Sequence, residues 1–240
     1  MNIALIGYGK MGKAIEAIAV ERGHSVSIKI DLDNSSDFNE AHLRSVDVAI
    51  EFTSPHTALH NVLQCIDWGV PVVCGSTGWL ESLPQVESRC SEKNGSFLYA
   101  SNFSVGVNIF FEVNKHLTRI MSQHPQYTPE IKEIHHTQKK DAPSGTAITL
   151  AEQLIASHPS ITSWTHEATA GAHSVVIHSD RIDPYPGWHE VKYRSEVDEI
   201  TIVHNAKNRQ GFALGAVLAA EFIQNKRGIF TMKDVLGFGN

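Results

Sequence analysis

Apolar and polar positions follow two different periods along this chain. From residue 2 to about 103, short β-rich runs alternate with helical stretches: "NIALIG" then a helix over 11–22, "VSIKID" then a loop, "VDVAIEF" then a helix over 57–67, "PVVCGS" then a helix over 80–93, and finally "SFLYAS". Near-continuous apolar strands separated by helices predict βα units and a parallel, doubly wound sheet covered on both faces.

After Phe103 the pattern changes. A helix is expected over 105–122, a strand at "PEIKEIHH", and a second helix over 145–157 capped by Ser144. The strands "SVVIHSDR", "HEVKYRSEV" and "DEITIVHNA" follow. In the middle one Val191 and Tyr193 alternate with Glu190, Lys192 and Arg194, the period of two that points to an antiparallel or mixed sheet. "RIDPYPGWHE" (181–190) reads as a loop. Residues 211–224 resume helix, with Ala213, Ala216 and Ala220 as a small-residue face, and this tail is expected to return to the first domain. The expected fold is α/β, with one domain of residues 1–103 completed by 210–240 and a second, α+β domain of residues 104–209.

Composition narrows the classes. The 240 residues, 42% of them apolar, suffice for a core without metals or disulfides. A formal charge of −6 with 20 Lys+Arg and no long basic run excludes an electrostatic partner such as nucleic acid or anionic lipid. Cys65, Cys74 and Cys90 are odd in number and without CxxC spacing, and "MNIALIGYGK" lacks the basic start of a signal peptide, so a reducing cytoplasm is expected. No apolar run approaches the ~20 residues of a bilayer helix, and no membrane span is expected.

Candidate chemistry begins at "LIGYGKMG". Gly7, Gly9 and Gly12 form a GxGxxG directly after the first strand and before the first helix, with Lys10 and Met11 inside the loop. Glycines there allow a tight turn and a close approach to a pyrophosphate, whose charge then sits at the helix N-terminus. A Rossmann-type dinucleotide site is the expectation. Asp31 closes the second strand where an acidic residue accepts hydrogen bonds from an adenine ribose, and Asp33 is the competing candidate. "CGSTGW" and "ASNFS" follow the fourth and fifth strands, at the sheet edge where ligands lie in this class of fold.

The segment "EIHHTQKKDAPSGTA" concentrates titratable groups against a turn. Pro143 and Ser144 start a helix, so the amides of Gly145 and Thr146 offer a site for a carboxylate or phosphate, and Lys139 and Lys140 add positive charge beside it. His135 and His136 end a strand and point to opposite faces. Adjacent histidines diverge, and no Cys or third His lies at metal spacing in the sequence, so no metal is expected. The Ser144-Gly145 pair lacks a nucleophile elbow. Proton transfer combined with anion binding fits best.

That segment resembles the signature E-x-H-H-x-x-K-x-D-x-P-S-G-T-A of the 4-hydroxy-tetrahydrodipicolinate (dihydrodipicolinate) reductase family, and "VVCGSTGW", "ASNFSVGVN" and "FALGAVLAAEFI" are similar to its other segments in the same order. The resemblance implies a cytoplasmic homotetramer in lysine and diaminopimelate synthesis, using NADH and/or NADPH on a small dicarboxylate. It also implies a nucleotide domain and a substrate-binding and oligomerisation domain. By motif position His135 would be the proton donor and Lys139 the second catalytic residue. His136, Ser144, Gly145 and Thr146 would hold the substrate carboxylates. Gly75, Ser76 and Thr77, with Ala100, Ser101, Asn102 and Phe103, would line the nicotinamide side.

Two departures bear on cofactor choice: the glycine loop is shorter than the GxxGxxG of many members, and Asp31-Leu32 stands where some carry an acidic-Arg pair. Asp31 would repel a 2′-phosphate that Lys10 and Lys13 could neutralise, so use of both cofactors is expected, NADH at least as well as NADPH. Two further readings fit the residues: another two-domain nicotinamide-dependent reductase or amino-acid dehydrogenase, and a non-catalytic dinucleotide-sensing protein, which would keep the glycine loop but need no His-Lys-PSGT constellation.

Overall fold

The computed structural model describes residues 1–166, 171, 173–208 and 210–238. The expected boundary residue 209 and the end of the expected tail, 239–240, lie outside that set. Two compact units are present, Met1–Val105 with Gln210–Asn240, and Gly106–Arg209.

The first unit is built on strands β1 (Asn2–Ile6), β2 (Ser25–Ile30), β3 (Val48–Glu51), β4 (Val72–Cys74), β5 (Ser96–Tyr99) and β11 (Gly228–Phe230). They form one parallel sheet in the order β11-β5-β4-β3-β1-β2. Every residue of β3 and β4 is buried, as strands covered on both faces must be, whereas β2 at the edge alternates. One face packs on α1 (Lys10–Glu21), α7 (Gln210–Ile223) and α8 (Met232–Leu236). The other packs on α2 (Glu40–Leu43), α3 (Pro55–Asp67) and α4 (Leu83–Glu92). Ala213, Ala216 and Ala220 are fully buried, and a Cβ at Gly215 would stand 1.7 Å from the Phe103 carbonyl oxygen. Helix α7 thus lies directly on main chain, which only small residues permit.

Where a plain loop was expected after β2, Asp31 caps a 3-10 turn over 32–37 that leads to α2. The three-residue strand β11 and the five-residue helix α8 were not anticipated, because elements that short show no period.

The second unit contains α5 (Val105–Met121), β6 (Thr128–His135), α6 (Gly145–Ser157), β7 (Ser163–Thr165), β8 (Ser174–Arg181), β9 (Gly187–Arg194) and β10 (Glu199–Ala206). Its sheet runs β10-β9-β6-β8-β7. Strand β9 is antiparallel to both neighbours, while β6-β8 and β8-β7 are parallel, the mixed sheet that the alternation of β9 suggests. Gly187 and Trp188, read from sequence only as loop, instead open β9 ahead of the expected strand at His189. The turn-forming Pro and Gly of "RIDPYPGWHE" end at Gly187, and Trp188 onward pairs with β6. Residues from α5, α6, β6, β8 and β9 share one core.

Candidate active site

In the first unit Gly7 has φ +95°, a left-handed conformation open to glycine, and a Cβ there would lie 2.1 Å from the Phe52 carbonyl. A Cβ on Gly12 would lie 2.5 Å from the Gly7 carbonyl oxygen, whereas one on Gly9 would meet nothing within 4 Å. The first and third glycines therefore pack the loop shut, and the second leaves its outer side open, the division of labour a dinucleotide pyrophosphate needs. Two adjoining cavities flank the loop. One of about 510 Å³ is lined by Gly7, Gly9, Asp31, Leu32, Phe52 and Thr53, among others. The second, of about 330 Å³, is lined by Gly9, Lys10, Met11, Gly75, Ser76 and Thr77 as well as Phe52 to Pro55. These residues fit a dinucleotide: apolar walls, an anion-ready loop and a carboxylate at the far end.

Asp31 lines the larger cavity; Asp33, the competing residue, does not. Through one oxygen Asp31 accepts the Leu32 amide at 2.9 Å, and its own amide donates to the Asn34 side chain at 2.7 Å, which fixes its direction. Ala100, Ser101, Asn102 and Phe103 line neither cavity. The Ala100 amide donates to the Cys74 carbonyl at 3.3 Å, and the Phe103 ring is core, 5.5 Å from that of Phe52. Phe52, Thr53 and Ser54 line both cavities without having been singled out in the sequence. Their position at the end of a buried strand was the available signal.

In the second unit, alternation along β6 buries Ile131, Glu133 and His135 on one face. His136, just beyond the end of β6, is half-buried and near Asp183. Register places Glu133 opposite His189 and His135 opposite Arg181. Glu133 has no exposed surface; its carboxylate accepts the Ser144 amide at 3.1 and 3.2 Å and the Arg181 guanidinium at 3.2 Å. His135 Nδ1 lies 3.3 Å from Glu133 Oε2, and His189 Nε2 lies 3.8 Å from it. The His135 and His189 rings meet edge to face, 5.0 Å between centroids. Burial, the largest single influence, would raise the pKa of Glu133, but the neighbouring His135, Ser144 and Ser179 in sum hold the carboxyl well below its ordinary range. Burial, reinforced by His135, pushes His189 down to about 3, so it is neutral at physiological pH.

Ser144 caps α6, its hydroxyl accepting the Ala147 amide at 3.3 Å; Gly145 is exposed at the first turn and Thr146 half-buried. Lys139 donates to both oxygens of Asp141, while Arg181 donates to the carbonyls of Lys139 (3.3 Å) and Asp141. His135, Lys139 and the start of α6 are thus tied into one constellation through Glu133 and Arg181. Lys140 is exposed, and among the described residues no hydrogen bond or ion pair ties it to that constellation. Glu133, Arg181 and His189 escaped sequence reading. Glu133 shares the face of His135 by simple i, i+2 spacing, but His189 and Arg181 arrive by strand pairing across a stretch that looked like loop. The ligand atoms of Glu133, His135 and His189 lie within 4.8 Å of one another, so the fold supplies the third group that local spacing lacked. Arg181 already neutralises that carboxylate, which disfavours a metal cation.

Among the described residues no helix is long and apolar enough to cross a membrane. Comparison with known proteins matches residues 1–103 to the family model "Dihydrodipicolinate reductase, N-terminus" and residues 106–236 to "Dihydrodipicolinate reductase, C-terminus". The chain is 47% identical over 237 residues to the 4-hydroxy-tetrahydrodipicolinate reductase of Christiangramia forsetii, covering 98% of each chain. It is 34% identical over 240 residues to that of Thermosipho africanus, again covering 98% of each. Its fold is similar to that of a dipicolinate-bound dihydrodipicolinate reductase from Paenisporosarcina sp. TG-14, with a TM-score of 0.78 at 23% identity, covering 96% of this chain and 97% of the other.

Proposed function

Since the chain belongs to the dihydrodipicolinate reductase family, we propose that His135 is its proton donor, while Lys139, His136 and the Ser144-Gly145-Thr146 helix start hold a dicarboxylate ring. The protein is an NAD(P)H-dependent oxidoreductase that reduces 4-hydroxy-tetrahydrodipicolinate, via dihydrodipicolinate, to tetrahydrodipicolinate in lysine and diaminopimelate biosynthesis. The observation that carries the assignment of roles is the joining of His135 and the capped start of α6 through one buried carboxylate, Glu133.

Loss of water from the cyclic hydroxy-imine leaves a conjugated ring. A reduced nicotinamide, when bound, supplies hydride to C4 of that ring. The enamine so formed needs a proton at the neighbouring carbon, and an imidazolium is suited to deliver it near neutral pH. His135 does so here, and Lys139 balances the ring's carboxylate charge. The first unit is the dinucleotide domain: Gly7, Gly9, Lys10, Met11 and Gly12 hold the pyrophosphate and Asp31 the adenine ribose. Gly75, Ser76 and Thr77, with Ala100 to Phe103, serve the nicotinamide end. The second unit binds substrate and assembles the oligomer. Ile109, Val113 and Ile120 recur along α5 at spacings of 4 and 7 and are 44–46% exposed. Such a stripe supports a homotetramer. The unpaired cysteines support a reducing cytoplasm.

Incubation with NADH and the condensation product of pyruvate and aspartate semialdehyde tests the function. Rapid NADH oxidation is expected; binding of NADH without turnover on this or any related imine would favour the nucleotide-sensing alternative. Light scattering tests assembly, and a monomer at micromolar concentration would refute the tetramer.

A further inference from the structure

Glu133 carries a role that neither the family motif nor the reaction assigns to it. Its carboxylate touches three elements at once: the His135 ring on its own strand, Arg181 of β8, and the Ser144 amide where α6 begins. A fully buried carboxylate with these partners is a rigid reference point, and the 3.3 Å approach is made by Nδ1 of His135. The opposite ring atom, Nε2, faces Gly187, where an added Cβ would come within 3.3 Å. Nδ1 thus faces the carboxylate at ion-pair distance, without the alignment of a hydrogen bond and with no other hydrogen-bond partner among the described residues, and Nε2 faces a position where only glycine leaves it room.

Resting on the assignment of His135 as proton donor, we infer that Glu133 is a positioning residue that keeps a proton on His135 Nδ1, so that Nε2 is the atom that gives its proton to the enamine carbon. When Nε2–H transfers its proton, the N–H bond breaks, the C–H bond forms and the ring is left neutral with Nδ1–H toward Glu133. Solvent then returns a proton to Nε2. The same carboxylate, through the Ser144 amide, ties the donor to the helix start that binds the substrate carboxylate.

Among the described residues, the charged and titratable groups around the ring and its neighbour His189 are Glu133 from β6, Arg181 from β8, His189 from β9, His204 from β10 and Lys139 from the loop after β6; α6 contributes the uncharged Ser144. His189, neutral down to about pH 3, cannot produce a limb near neutrality. Replacing Glu133 by Gln should lower kcat about 10- to 100-fold, the worth of a charge-assisted contact, and move the alkaline limb of the kcat profile to lower pH. In a His135→Gln background the same change should lower kcat no further, because its effect on kcat runs through His135. An unchanged kcat and limb in E133Q, or a loss that adds in full to that of H135Q, would overturn the inference. Normal catalysis by H135Q alone would instead remove the reading on which it rests. If E133Q does not fold, ¹⁵N NMR of the wild-type enzyme decides, with the His135 signals assigned by their loss in H135Q. A neutral ring protonated at Nδ1 supports the inference, and one protonated at Nε2 overturns it.

Discussion

Lys139 and Asp141, two residues apart in the loop after β6, form a two-pronged ion pair, the Lys139 ammonium donating to the two Asp141 carboxylate oxygens at 2.9 and 2.7 Å. The cation assigned to the substrate is therefore held by an internal anion that a substrate carboxylate must displace. Asp141 is largely exposed, and exposed pairs are worth roughly 0.2–1 kcal/mol. Asp141→Asn should lower KM for the dicarboxylate by no more than about fivefold, with kcat little changed. A raised KM would mean that Asp141 aims Lys139 rather than competes for it.

His135 and Lys139 should separate kinetically. His135→Gln is expected to reduce kcat by about 10²- to 10⁴-fold with KM nearly constant, as for loss of a general acid. Lys139→Met should raise KM as well as lower kcat, since its charge also binds the ground state. Neither should change NADH affinity measured by fluorescence titration. Near-normal turnover of H135Q between pH 6 and 8 would transfer the donor's role to His136 or water.

Cofactor choice turns on Asp31 at the edge of the larger cavity, whose lining contains no Lys or Arg. Asp31→Ala should raise kcat/KM for NADPH relative to NADH by removing repulsion of the 2′-phosphate. An unchanged ratio would exclude Asp31 from discrimination.

Acid sensitivity follows from His189. Its folded pKa of about 3 lies below the ordinary 6.5, so the unfolded chain binds a proton that the folded chain refuses. Stability is then fully present above pH 6.5 and declines as pH falls toward 3, by roughly 1 kcal/mol per pH unit. Glu133, also depressed, adds a loss that begins lower, near the ordinary 4.5. Urea unfolding between pH 7 and 5 should show a shallower decline for His189→Gln than for wild type. Identical slopes would place the acid lability elsewhere, for example in His158 or His204, which burial also lowers.

The parallel sheet was legible because β1, β3 and β4 are continuous apolar runs with helices between them, and the mixed sheet because β9 alternates. The start of α6 was legible from Pro143-Ser144, a local cap signal. What could not be read was the pairing of strands distant in sequence. Glu133 meets His189 and His135 meets Arg181 only through register, and no pattern within either segment encodes that. Similarly, Phe52 and Thr53 join the glycine loop because β3 lies beside β1, so that a Cβ on Gly7 would strike Phe52.

The contact of Gly215 with Phe103 has a consequence for the order in which the molecule is assembled on the ribosome. The first unit is interrupted, five of its six strands emerging with residues 1–105, while helix α7 and the edge strand β11 follow more than a hundred residues later. During that interval the apolar face formed by Ile3, Leu5, Val48 and Val73 lacks Ala213, Ala216 and Ala220, while all of the contiguous second unit has been synthesised. The nascent chain thus finishes the second unit first and closes the nucleotide half last, leaving one sheet face covered by α1 alone until α7 and α8 arrive.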